Sequence, residues 1–144
     1  MHHVPEVAAP LVIPQPVATE ICQSREVDEA VRWIKGAGEQ FIQPSPLELP
    51  DLIKTGIGPG ERSVISWAVA NPGFIAVLDD RQARLTARRR GVPSLGTVGV
   101  VLELKRAGLI PEVRSHLLEI RRVGGYLSDA LFDEAIRSAG EQAQ

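Results

Sequence analysis

Five consecutive apolar residues, Phe74-Ile75-Ala76-Val77-Leu78, constrain this chain more than any other stretch. Asn71-Pro72-Gly73 precedes them and two carboxylates, Asp79 and Asp80, follow. A short run of this kind, bounded by turn signals and containing β-branched and aromatic residues, predicts a fully buried strand of a parallel sheet. Open α/β sheets gather ligands and metals at the carboxyl ends of such strands, which makes Asp79 and Asp80 the first candidates for chemistry.

A strand of that type needs helices to cover it, and 144 residues at 44% hydrophobic content supply one ordinary domain, 1–144, with enough apolar material for a core. The formal charge of -2 gives no global attraction to a polyanion or a membrane, so any such site must arise from local clustering. Cys22 stands alone, which rules out an intrachain disulfide and suits a buried apolar role in a reducing cytoplasm. No apolar run approaches the ~20 residues of a membrane span, and the expectation is a cytoplasmic protein.

Upstream of the central strand, Met1-His2-His3 offers two imidazoles with no third ligand at helical or hairpin spacing, and reads as a loop. Leu11-Val12-Ile13 predicts a short strand closed by Pro14, and Pro16 stands at a natural first helical position for a helix to Ser24 that carries Glu20. Val27, Ala30, Val31 and Ile34 then recur at helical spacing over 26–35, with Gly36 or Gly38 as the stop. Gln40 to Gln43 predicts another short strand, and 45–57 a long connection with one amphipathic turn. Gly58-Pro59-Gly60 predicts a tight turn into a helix over 61–70. Glu61 falls in its first turn, either as a carboxylate at a positive helix end or as a metal ligand presented toward the strand end at Asp79.

Beyond the strand, Asp79 or Asp80 predicts an N-cap for a helix over 81–90. That helix holds Arg81, Arg84, Arg88, Arg89 and Arg90 with no acidic residue among them. Arg81, Arg84 and Arg88 share one face, and guanidinium forks suit phosphate oxygens. Val92 to Leu95 predicts a short strand, Thr97 an N-cap for a helix whose Val100, Val101 and Leu104 face inward, and Gly108 its stop. A helix over 112–122 presents Val113, Leu117 and Ile120, with His116 packed or solvated beside them. Ser128 caps a last helix carrying Ala130, Leu131, Ala135 and Ile136, after which 141–144 reads as frayed.

Short apolar strands alternating with helices predict a small parallel α/β sheet flanked by helices. Four ordered segments go further: Gly58-Pro59-Gly60-Glu61, Val77-Leu78-Asp79-Asp80-Arg81-Gln82-Ala83-Arg84, Gly96-Thr97-Val98-Gly99-Val100, and Leu104-Lys105-Arg106-Ala107-Gly108-Leu109-Ile110-Pro111. Together with Leu127-Ser128-Asp129-Ala130-Leu131 through Glu141, they make the chain resemble a prokaryotic family of PIN-like proteins. Members are described as predicted nucleic-acid-binding proteins, and relatives include the toxin nucleases of toxin-antitoxin pairs. The resemblance implies a ribonuclease acting on RNA with Mg or Mn, the cation being held by carboxylates because hard divalent ions prefer oxygen. Carried over by motif, Glu20, Glu61 and either Asp79 or Asp80 would be the catalytic metal ligands; the helical face of Arg81, Arg84 and Arg88, read from its spacing, would then contact phosphates.

The family also begins with an apolar strand ending in aspartate, and nothing upstream of Leu11 matches it. The expectation is therefore an N-terminally incomplete PIN-like domain, whose gap would be filled by a homodimer or an exchanged segment. The competing expectation is a catalytically silent module that binds nucleic acid or a protein antitoxin. No phosphate-binding glycine loop, nucleophile-base pair or cofactor fingerprint points to a small-molecule enzyme.

Overall fold

The computed structural model describes residues 11–23 and 29–142. The expectations for the His2-His3 pair and for the start of the helix over 26–35 lie outside those residues. The chain divides into two compact units, Leu11–Leu95 and a second one whose described residues begin at Gly96.

The first unit opens with β1 (Ile13–Pro14) and α1 (Gln15–Cys22), where Gln15 takes the first helical position and Pro16 the second. Proline is tolerated there because the first helical N–H groups have no intrahelical acceptor to lose. Next come α2 (Glu29–Lys35), a 3₁₀ turn (Glu39–Phe41) and β2 (Ile42–Gln43). β1 pairs parallel to β2 with Ile13 opposite Ile42. The amphipathic turn in the long connection is α3 (Pro50–Ile53), whose Leu52 is fully buried while Leu47 and Ile53 face solvent.

α4 (Pro59–Ala70) then leads to β3 (Ala76–Val77), α5 (Arg81–Arg89) and β4 (Ser94–Leu95). β3 and β4 are parallel, with Ala76 opposite Ser94 and Val77 opposite Leu95, so α5 is the crossover that a parallel pair requires. Leu52, Ile57, Ile65, Ala68, Ala76, Leu78, Ala83, Ala87 and Val92 form one buried cluster between these elements. α4 packs against α1, β1, β3 and α5, so it is the element through which the two strand pairs of this unit are joined.

The central run departs from its expectation. Ala76 and Leu78 are buried, but Ile75 and Val77 are 56% and 54% exposed. Alternate residues of a strand face opposite sides, and only the Ala76 and Leu78 side meets the apolar faces of α4 and α5. The strand is half-buried rather than fully buried.

The second unit consists of α6 (Thr97–Arg106), α7 (Arg114–Arg122) and α8 (Asp129–Ser138). Val101, Val113, Leu117, Leu127, Phe132, Ala135 and Ile136 form its core. Gly96, not Thr97, is the N-cap of α6, and Thr97 is its first helical residue. Gly108 does follow that helix with φ +76, the left-handed turn that glycine adopts without a Cβ penalty. Ser128 caps α8, its hydroxyl accepting the Leu131 N–H at 3.2 Å. The buried side of α8 is Phe132, Ala135 and Ile136, while Ala130 and Leu131 are exposed. Phe132 takes their place in the core, and the Arg114 and Arg121 guanidiniums lie over its ring, 5.8 and 4.6 Å from its centre.

Glu141 is not frayed. Its Oε1 accepts the Val113 N–H at 2.6 Å, just ahead of α7, and pairs with Lys105 Nζ of α6 at 2.8 Å. Burial works against the charge, yet the Lys105 ammonium and the N–H groups of Val113 and Arg114 outweigh it and hold this carboxyl below its ordinary range.

Candidate functional site

Two groups of predicted site residues come into view in the first unit. The first is at the start of α4. Gly58 is the N-cap, Pro59 follows, and Glu61 sits in the first turn. Because α1 packs on α4, Glu20 near the end of α1 reaches the same helix end, where its Oε1 accepts the Gly60 N–H at 2.8 Å. That N–H is one of the donors a helix start leaves without an intrahelical partner, and the positive end of the helix dipole favours the carboxylate.

The spacing of glycines in Gly58-Pro59-Gly60-Glu61 has a direct steric reason. A Cβ at Gly60 would stand 2.5 Å from Glu20 Oε2, and one at Gly58 would stand 2.5 Å from Glu61 Oε2. Each glycine makes room for one carboxylate, and Glu20 and Glu61 are both brought to the first turn of α4.

The second group follows β3. Asp80 is the N-cap of α5, its Oδ2 accepting the Ala83 N–H at 2.9 Å. Asp79 is exposed, and its backbone carbonyl accepts from Arg84 Nη1 at 2.6 Å. Among the described residues, no three His, Cys, Asp or Glu side chains gather as a metal site. The oxygen chemistry of these four acids suits a hard cation, but the described side chains as placed do not fit the carboxylate cluster that the resemblance implies.

The arginine run is divided by the fold. Arg81, Arg84 and Arg88 line one open groove of about 530 Å³, together with Leu85, Val92, Pro93 and Ser94. Arg90 pairs instead with Asp51 of α3, and Arg89 is exposed. Arg84 is half-buried, with Nη1 donating to the carbonyls of both Leu78 and Asp79. The apolar wall and Ser94 were not among the residues singled out from the sequence. The signal for them was Gly91, whose φ of +71 turns the chain back so that 92–94 runs beside α5.

This groove, running along α5 beside the chain that enters β4, has the donors for a phosphate chain and an apolar wall beside them. The family model DUF3368, described as a PIN domain, matches residues 1–141. The chain belongs to the PIN domain family. No curated protein and no solved structure matches it. The α/β architecture with small parallel sheets agrees with a PIN-like fold, and PIN domains are associated with nuclease-type action on nucleic acid. No described helix of this PIN domain is long and apolar enough to cross a membrane.

Proposed function

We propose that this PIN domain binds RNA in the groove along α5, holding the sugar-phosphate backbone with Arg81, Arg84 and Arg88. The observation that carries the reading is that these three arginines line one open groove. Planar forks match phosphate oxygens two at a time, and the weak hydration of guanidinium lowers the cost of contact. Leu85, Val92 and Pro93 give sugars and base edges an apolar wall.

Fluorescence anisotropy with a labelled single-stranded RNA, titrated at rising salt, tests the proposal. Three phosphate contacts predict a log-log salt slope of about -2. Arg88→Glu should weaken binding by about tenfold or more, since it replaces an attraction with a repulsion. Absence of binding at low salt, or a slope near zero, would sink the reading.

A second reading, a metal-dependent endoribonuclease of toxin type restrained by a protein antitoxin in the cytoplasm, is favoured by the meeting of Glu20 and Glu61 at one helix end. This reading requires Glu20, Glu61, Asp79 and Asp80 to gather around Mg or Mn, which the described side chains as placed do not do. It predicts Mn²⁺-dependent cleavage of a mixed RNA that is lost with EDTA and in both Glu61→Gln and Asp79→Asn; intact RNA after incubation with folded protein counts against it. A homodimer belongs to the same reading, and a monomeric mass in solution would remove it.

A further inference from the structure

We infer that Arg84 is a fixed seat for a single phosphate group within the α5 groove, distinct in kind from Arg81 and Arg88. The inference rests on the RNA-binding reading of the groove and deepens it.

Helical side chains lean toward the N-terminus of their own helix. Arg84, one turn into α5, therefore reaches back over the Asp80 cap to the end of β3. There its Nη1 donates to Leu78 O at 3.0 Å and to Asp79 O at 2.6 Å. Those carbonyls lie where the strand passes into the helix, and one nitrogen of Arg84 serves both.

A guanidinium has five N–H donors in one rigid plane. With the two on Nη1 committed to backbone, the plane is held, and Nε and Nη2 keep three donors that bond no described residue. Arg84 also lines the groove. A phosphate group entering there meets an edge of the fork whose orientation is already set, so little side-chain freedom is lost on contact. Arg81 and Arg88 line the same groove but are exposed and bonded to no described residue, so they act as mobile charges that the ligand must order.

Lysine separates these roles. At position 84 a single ammonium cannot bridge two carbonyls and also present a flat pair of donors, although it keeps the charge. At positions 81 and 88 the charge is most of the contribution.

The test compares Arg84→Lys, Arg81→Lys and Arg88→Lys for affinity toward a labelled single-stranded RNA. In parallel, the arginine Nε–H signals of ¹⁵N-labelled wild-type protein are followed by NMR during titration with inorganic phosphate. The expected result is a loss of about tenfold for Arg84→Lys against about two- to threefold for each of the others, as a bidentate charged contact warrants. The Arg84 signal should move saturably with phosphate. Equal losses in all three variants, or an Arg84 signal that phosphate does not move, would overturn the seat. The NMR arm needs no variant, so misfolding of Arg84→Lys does not decide the matter. If phosphate moves Arg84 while RNA fails to bind, the seat stands for a phosphate group from another source and the RNA reading falls.

Discussion

At the scale of single residues, the two glycines before Glu61 exist for the sake of carboxylates. Replacing a helical glycine with alanine ordinarily stabilises by about 0.5–1 kcal/mol. At Gly60 that gain should be cancelled or slightly reversed, because the new methyl would push the exposed Glu20 carboxylate aside and forfeit its hydrogen bond from the Gly60 N–H, worth about 0.5–1.5 kcal/mol. Urea denaturation of Gly60→Ala should show no such gain, and Glu20→Ala in the same chain should recover part of it. Simple additivity of the two substitutions would count against the cradle.

Glu141 gives the second residue-scale prediction. Its folded pKa lies below the ordinary carboxylate value, so its stabilising effect is complete above the unfolded pKa of about 4.3 and is lost as pH falls through the lower folded value. Thermal melts from pH 7 to pH 3 should show a smaller acid loss for Glu141→Gln than for the wild type. At neutral pH the same variant should be less stable by about 1–2 kcal/mol, the scale of a lost charged hydrogen bond. Parallel pH curves for the two proteins would contradict this role.

Among the elements, α5 depends on its cap. Asp80→Ala should cost about 0.5–2 kcal/mol, whereas Asp80→Asn should cost little because asparagine caps equally well. Equal losses in chemical denaturation would mean that Asp80 acts through its charge and not as a cap. The helices were legible because their periodicity and stop signals are local: Gly108 and Ser128 end and begin helices where the chain predicts. What was not legible is what depends on distant partners. Glu20 meets Gly60 across 40 positions and Glu141 meets Val113 across 28, separations that no local pattern encodes. The burial of the central strand failed for a related reason. Its apolar run specifies a strand, but which faces are covered is decided by how α4 and α5 approach it. The arginine face was readable from helical spacing, whereas the Arg90–Asp51 pair and the Arg84 clasp on two carbonyls required the fold.

For the whole molecule, a net charge of -2 means that RNA binding, if it occurs as proposed, is a property of a patch and not of the protein's overall field. Arg106→Glu in α6 alters the net charge as much as Arg88→Glu, but Arg106 is exposed and paired with Glu103 in its own helix. Anisotropy titrations should find its RNA affinity within about twofold of wild type, because Arg106 is already paired in its own helix and does not line the groove. A loss matching that of Arg88→Glu would show that long-range charge, not the groove, governs binding.

The position of Glu141 also sets a timetable. A ribosome adds about 5–20 residues per second, and domains fold as their segments become complete. Val113 and Lys105 emerge well before the carboxylate that joins them. During synthesis the start of α7 must therefore stay unjoined until the segment carrying Glu141 has emerged, so this contact forms only after α6, α7 and α8 have all been made.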